Sequence, residues 1–331
     1  MSEMAISKKE GRALKKAEKK RIKELNKSIV TLPKTVQQSM GIMAVQKEHG
    51  VYFLGNYRYM KMYLLKNPEL KEKDMFIEKL CDITKNRIRI SYFCQDNIKY
   101  AFISVYFYGE SYSAAYDEIS VFEEELKEKV CRPLRLNLSQ CSIDSVLMYI
   151  HMNCTGEMKE FDHTAMLNQK ENWRDALLPE INVTSPGMFT CEGKYGMCFS
   201  CNFWNDKKVN VNEKLTKLPG KINLVVDIQN TTDSEKEIFD YELEKKYNYE
   251  LKEKRNDIIN LTYLIAVLEE SKAKLMEVKK ELSELFRDSS MLLVPGGSQE
   301  EQIFYSIGTL GIIEFRLMRN VSKCFVSSLL L

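Results

Sequence analysis

The sequence predicts an α+β protein with a mainly antiparallel sheet and packed helices. Two observations support this class: runs of aromatic and β-branched residues of strand length, and turn residues that join such runs in pairs with helical spacing between the pairs. Strand pairs with intervening helices do not fit a doubly wound parallel sheet. Of the 331 residues, 44% are hydrophobic and 29% are charged, so the chain can bury a large core.

Residues 1–36 form a basic tail that differs from the rest of the chain. Eleven Lys and Arg residues stand there against four acids, although the whole chain has a formal charge of only +2. Good helix formers dominate up to Pro33, which ends the pattern. At about 100° per residue, a thin apolar stripe runs along this predicted helix. Its members are Leu14, Ile22, Leu25 and Ile29.

Two interpretations of the tail are open. The first is a solvated leader that helps solubility. The second is a helix that contacts anionic lipid or nucleic-acid phosphate, because each Lys or Arg near an anionic leaflet contributes about 1 kcal/mol to binding. The contacting residues would be Lys15, Lys16, Lys19, Lys20, Arg21 and Lys23.

Residues 37–232 are predicted to form the α+β domain. Gly55 and Asn56 tolerate left-handed turn geometry, so a hairpin is predicted around them. The apolar run at 100–108 is typical of a central strand and is too short to span a bilayer. The predicted elements are hairpins 51–54 with 57–65 and 188–190 with 197–203, strands 87–93, 100–108 and 222–228, helices 69–81 and 112–129, and a short helix or strand at 145–151.

Residues 233–290 are predicted to form a helical hairpin or arm, helical over 233–287. Seven apolar residues fall on a and d positions of a heptad, and Ser271 interrupts them. Two arrangements are open: helices packed on the sheet, or an arm that binds a partner protein. The heptad residues are Val278, Leu285 and the predicted partner contacts Leu261, Leu264, Leu268, Leu275 and Leu282.

The last segment, 291–331, starts with the helix-breaking Pro295-Gly296-Gly297 and resumes a helix at 302–307. It ends in an apolar run at 324–331, which a folded protein seldom leaves uncovered. Either this run folds back into the core or it precedes a further domain.

Motifs for common enzyme chemistry are missing from the sequence. It has no GxxxxGK[ST] loop of the kind that cradles phosphate in P-loop ATPases, no GxGxxG dinucleotide fingerprint and no GxSxG nucleophile motif. Only three histidines could serve as general bases. We therefore expect a chain that is not an enzyme and binds no cofactor.

The nine cysteines have irregular spacing that does not indicate a disulfide framework, so the cytoplasm is the expected compartment. Cys198 and Cys201 form a CxxC motif with Cys191 upstream, which makes the three weak candidates for zinc, and a CxxC pair can alternatively take part in redox cycling. A structural zinc site needs four ligands, however, and strand residues three apart point to opposite faces. Buried core cysteines are the favoured interpretation.

Short motifs spread over most of the chain carry a family resemblance. They are the basic leader 8–38 with its closing LPKTVQQ, GNYRYMKMY at 55–63, the segment 173–181, LPGKI at the start of 218–228, and 299–326 with Gln302, Phe304, Ser306, Leu310-Gly311 and Arg319. Together they resemble the N-terminal region of the large type IV secretion ATPases of the TraE/TrbE/CagE kind. Versions from conjugative elements of Gram-positive bacteria are the most similar.

This resemblance implies a non-catalytic docking and assembly module, because ATP hydrolysis in that family belongs to a C-terminal domain that should begin where this sequence stops. The implied partners are other subunits of the apparatus, a separate ATPase chain and the anionic inner face of the cell membrane. Gly308-Thr309 departs from the family, which usually has a proline there. The alternative is a nucleic-acid-binding protein that acts through its basic tail.

Overall fold

One antiparallel sheet organises the fold, which is α+β as predicted. The computed structural model describes residues 8–66, 70–95, 98–169, 172–203, 211–215, 217–231, 258–289, 291–311, 315 and 318–330. Within these residues, fourteen strands join the sheet.

The strands are numbered in chain order. They are β1 (Ile29–Thr31), β2 (Ala44–Gln46), β3 (Val51–Gly55), β4 (Arg58–Leu65), β5 (Ile88–Gln95), β6 (Ile98–Tyr108), β7 (Leu138–Gln140), β8 (Ile181–Ser185), β9 (Met188–Cys191), β10 (Lys194–Phe203), β11 (Lys221–Asn230), β12 (Ile258–Glu269), β13 (Met291–Pro295) and β14 (Arg319–Ser322). The main path through the sheet is β1-β2-β3-β4-β6-β5-β11-β12-β10-β9-β8, with β7 on β4, β13 on β10 and β14 on β12.

Helices cover both faces of this sheet. They are α1 (Lys8–Leu25), α2 (Lys34–Met40), α3 (Lys73–Ile83), α4 (Tyr112–Glu125), α5 (Arg132–Leu134), α6 (Ile143–Thr155), α7 (His163–Gln169), α8 (Trp173–Leu177), α9 (Asn212–Leu215), α10 (Lys272–Asp288), α11 (Glu300–Gly308) and α12 (Lys323–Ser328). A π-helix, Leu126–Cys131, joins α4 to α5. Alternate residues of the central strands fill two cores: the first lies under α3, α4, α10 and α12, and the second under α2, α6, α8 and α11.

The predicted hairpins are confirmed. β3 and β4 turn where expected, with Gly55 and Asn56 at φ of 75° and 50°. β9 and β10 turn at Glu192 and Gly193, which also have positive φ. The segment 145–151, which the sequence left open between helix and strand, lies in α6.

The predicted helical arm is wrong for residues 258–269, which form β12. All twelve residues of this strand are buried. Leu261 belongs to the first core, whereas Leu264 and Leu268 belong to the second. Leucines three and four apart satisfy a heptad, but β-branched and aromatic residues between them let the same run fill two cores as a central strand.

Within the predicted arm, a helix is present as α10. Ser271, which interrupts the heptad, is its N-cap, since its side chain accepts a hydrogen bond from the Lys274 N–H. Leu275 and Leu282 are buried against the sheet, so neither they nor the three β12 leucines form an exposed partner surface. Residues 233–257 lie outside the described residues.

The described part of the C-terminal apolar run folds back into the first core. Phe325, Val326, Leu329 and Leu330 are buried there. Two polar contacts fix the C-terminal run on α3. Lys73 Nζ donates to the Leu330 carbonyl oxygen at 2.8 Å, and Ser327 Oγ donates to the carboxylate of Asp74. The described part of this run is therefore covered by the fold.

A buried ion network joins β5, β11 and α11. Asp227 accepts hydrogen bonds from Arg87 Nε at 2.5 Å and from Arg89 at 3.3 Å. Arg89 also donates to the carbonyl oxygens of Ser306 and Thr309, at 2.8 and 3.1 Å, near the end of α11. Because a buried charge is costly unless it is paired, this network fixes α11 above β5 and β11.

A buried carboxyl group ties the start of α11 to β10. Glu300 is fully buried, and its Oε1 accepts a hydrogen bond from the Cys198 N–H. Burial raises the pKa of the Glu300 carboxyl to about 7, although backbone N–H groups of Cys198, Gly296 and Gly297 and the charge of Lys279 oppose the shift. Glu300 therefore gains a proton in the folded state at a pH at which it is ionised in the unfolded chain.

We predict that Asp227→Asn lowers the free energy of unfolding by about 3–5 kcal/mol, because it leaves two buried guanidinium groups without a charged partner. Urea unfolding followed by circular dichroism measures the change. Glu125→Gln, which breaks an exposed i,i+4 pair with Lys129, is the control and should cost less than about 0.5 kcal/mol. Similar losses for both variants would contradict the role of the buried network.

We also predict that the contribution of Glu300 to the free energy of unfolding falls as pH rises. Its folded pKa is raised from 4.5 to about 7, so its contribution is fully present below pH 4.5 and is lost as pH rises through about 7. The loss is on the order of 3 kcal/mol. Urea midpoints at pH 5 and pH 8 should therefore differ less in Glu300→Gln than in the unsubstituted protein. An equal pH dependence in both would show that Glu300 is not the responsible group.

Candidate functional site

The predicted basic helix is present as α1, and five of its lysines occupy the side that faces solvent. At about 100° per residue they fall within an arc of about 140°, opposite the side that packs on the protein. All five are exposed: Lys15, Lys16, Lys19, Lys20 and Lys23. We call this group the lysine face.

The opposite side of α1 holds the helix on α4. Arg21 forms an ion pair with Asp117 of α4, and Glu18 accepts a hydrogen bond from Ser113 Oγ at 3.3 Å. Both contacts are on the surface and add little stability. Arg21, predicted as a lipid or nucleic-acid contact, is thus directed toward α4, whereas the five lysines are not.

The C-terminal end of α1 has a stronger attachment. Leu25 is buried in the first core. The side chain of Gln46, also fully buried, donates to the carbonyl oxygens of Leu25 at 3.2 Å and Lys27 at 2.9 Å. Since the last carbonyl groups of a helix lack partners within it, Gln46 fixes where α1 ends. The lysine face is therefore carried by a helix with a defined orientation.

The apolar stripe predicted on this helix is only partly buried. The helix ends at Leu25 rather than near Pro33, and Ile29 lies in β1. Leu14 and Ile22 remain 59% and 38% exposed. At about 100° per residue, only Ile22 borders the lysine face, whereas Leu14 lies on the side of Arg21 and Leu25.

A cavity of about 690 Å³ lies at the other end of α4, where the π-helix begins. We call it the π-helix cavity. Its walls come from α4, the π-helix, α5, β4, β7 and the segment before β7. The lining residues are Tyr63, Glu123, Leu126, Lys127, Cys131, Arg132, Arg135, Leu136, Asn137, Leu138 and Gln140.

One lining residue, Glu123, has its charge compensated inside the protein. It forms an ion pair with Lys61, whose side chain is only 2% exposed, and also accepts a hydrogen bond from Tyr63 Oη at 3.2 Å. Burial lowers the pKa of Lys61, and the hydrogen bond and charge of Glu123 oppose this shift. Burial likewise raises the pKa of the Cys131 thiol, so this thiol stays protonated at neutral pH.

The structure separates the cysteines considered for zinc. Cys191 and Cys198 lie in the second core, and Cys201 lies in the first, on the opposite face of β10. Burial raises the pKa of the Cys191 thiol to about 12 and that of the Cys198 and Cys201 thiols as well. Among the described residues, no group of three or more His, Cys, Asp or Glu side chains could hold a metal ion.

Comparison with known proteins gives no family. No family model and no curated protein matches the chain. Similar solved structures include CrmK, a flavoenzyme involved in the shunt product recycling mechanism in caerulomycin biosynthesis, at 10% identity and a TM-score of 0.33. Aclacinomycin oxidoreductase is similar at 8% identity and a TM-score of 0.32. Each match covers 70% of this chain but only 41% of the other, so the chain spans less than half of these enzymes.

These matches correct the expectation that the chain is not an enzyme. Both similar structures are oxidoreductases or flavoenzymes, so that exclusion is withdrawn. TM-scores of 0.33 and 0.32 carry no argument for a shared fold, cofactor or reaction, and no activity is assigned from them. Separately, none of the helices in the described ranges has both the length and the apolar composition that crossing a bilayer requires.

Proposed function

We propose that this chain is a docking and assembly module of a conjugative transfer (type IV secretion) apparatus, located in the cytoplasm at the inner face of the membrane. The lysine face of α1 carries the proposal, because it presents five cations on a helix whose other side is fixed to the fold. The motif series that resembles the N-terminal region of the secretion ATPases supports the choice of apparatus. Other subunits and a separate ATPase chain are the proposed protein partners.

A fixed lysine face suits recruitment to a surface. The helix is already formed and oriented, so binding orders fewer groups than binding of a free tail would. Cations that are presented together attract an anionic surface, with about 1 kcal/mol for each residue close to it.

An exposed apolar residue at the edge of the lysine face favours a membrane over nucleic acid. Ile22 borders the lysines and can enter the headgroup region of a bilayer, as in amphipathic helices that lie in the interface. Against a nucleic-acid backbone, affinity comes from cations that neutralise phosphates, and this side chain would add little.

Co-sedimentation with vesicles that contain anionic lipid tests the proposal. Replacing the five residues of the lysine face by Gln should weaken binding about a hundredfold if three of them engage the surface. The control removes the same charge from α10, by replacing Lys272, Lys274, Lys279, Lys280 and Arg287 with Gln, and should change binding much less.

A second pair of measurements separates the two anionic surfaces. Ile22→Gln should weaken vesicle binding and leave binding to duplex DNA at low salt unchanged. Vesicle binding that survives loss of the lysine face would contradict the membrane proposal. DNA binding that disappears with the same five substitutions, without any vesicle binding, would support the nucleic-acid alternative instead.

A further inference from the structure

We infer that the π-helix cavity binds a phosphate monoester that carries an apolar body. The inference goes beyond the proposed docking function and uses residues that the lysine face does not include. It rests on the geometry of the π-helix, on the charge balance of the cavity and on its apolar walls.

The π-helix places two cations on one side of the chain. In this segment the Arg132 N–H bonds to the Lys127 carbonyl oxygen, five residues earlier. Residues five apart in an α-helix point about 140° away from each other, whereas the wider π-helical turn brings them nearer to one side. Lys127 and Arg132 both border the cavity.

A third cation reaches the cavity because the helix stops there. Arg135 has a φ of 52°, in the left-handed region, and its N–H closes the turn on the Arg132 carbonyl oxygen. The chain then leaves the helix and runs along the cavity wall into β7. A non-glycine residue in this conformation is uncommon, and such positions are frequent at binding sites.

The charge balance of the cavity is positive. Lys61 compensates Glu123, and Glu128 compensates Arg132 through an i,i+4 ion pair. Lys127 and Arg135 form no ion pair with any residue of the described ranges, so two positive charges remain at the mouth. Two such charges match a phosphate monoester, which carries close to two negative charges at neutral pH. Arginine is also the side chain best shaped to bind phosphate oxygens.

The volume and walls of the cavity indicate a body larger than the phosphate. A cavity of about 690 Å³ has the size of small-molecule sites. Below its exposed cations the walls are buried or half-buried apolar groups: Tyr63, Leu126, Cys131, Leu136 and Leu138. An apolar body would replace water along these walls while the phosphate stays at the cationic mouth. A phospholipid headgroup with its acyl chains and a soluble phosphate ester with an apolar group share this chemistry.

Isothermal titration of the full chain with four probes tests the inference. The probes are dihexanoylphosphatidic acid as the lipid, phenyl phosphate as the soluble ester, inorganic phosphate without a body, and dihexanoylphosphatidylcholine without net charge. Saturable binding of one or both of the first two is expected, at least about tenfold tighter than that of the last two. The tighter of the first two identifies the source of the ligand.

Variants then locate the binding. Lys127→Gln with Arg135→Gln should weaken it at least about tenfold, because each replacement removes a charged donor. Lys129→Gln is the matched control, since Lys129 lies on the same π-helix, pairs with Glu125 and does not line the cavity. Loss of the lysine face should leave probe binding unchanged, which separates this site from the proposed membrane contact. No saturable binding of either ester, or equal weakening by Lys129→Gln, would overturn the inference.

Discussion

The fold depends on the burial of β12 on both faces and along both edges. β12 pairs with β11 on one side and with β10 and β14 on the other, and none of its twelve residues is exposed. Its odd-numbered apolar residues fill the first core, and Leu264, Ala266 and Leu268 fill the second. A strand of this kind requires a helix layer on each face of the sheet. The strands on both sides of it therefore belong to one continuous body rather than to a sheet with a separate helical arm.

That requirement decides which parts of the chain are available for contacts. α10 and α12 cover the first core, and α6 and α11 cover the second, so the buried sides of these four helices cannot contact a partner. The Arg87–Asp227–Arg89 network and Glu300 add polar attachments for α11, so this helix is fixed at both ends. α1 is different, because only its last turn enters a core and most of its surface faces solvent. The features that suggest function therefore concentrate around α1 and α4.

Local signals in the sequence were sufficient for much of the sheet. Gly55-Asn56 predicts its hairpin because the turn needs residues that accept positive φ. The β12 error has a different cause: Leu261, Leu264 and Leu268 fit helical and strand patterns alike, and only the pairing of β12 with distant strands decides between them. Sequence-based periodicity also misses the π-helix, since its turn does not follow the 3.6-residue period on which such analysis relies.

The candidate site was predictable only in part, because some of its residues come together only through the fold. The cations of α1 are visible as a cluster in sequence, so the lysine face could be proposed from it. Lys127, Arg132 and Arg135 look like ordinary members of a charged helix, because their convergence depends on the π-helical turn and on the left-handed Arg135. Tyr63 and Lys61 join them only through the pairing of β4 within the sheet.

We propose that this chain docks within a conjugative transfer apparatus at the membrane. Affinity purification of the tagged chain from solubilised membranes, after co-expression with the transfer proteins encoded next to it, is the decisive measurement. A P-loop ATPase chain and other transfer subunits should co-purify with the tagged chain in a fixed ratio. Recovery of the chain alone, or of the same proteins with an unrelated tagged control, would show that it does not dock in such an apparatus.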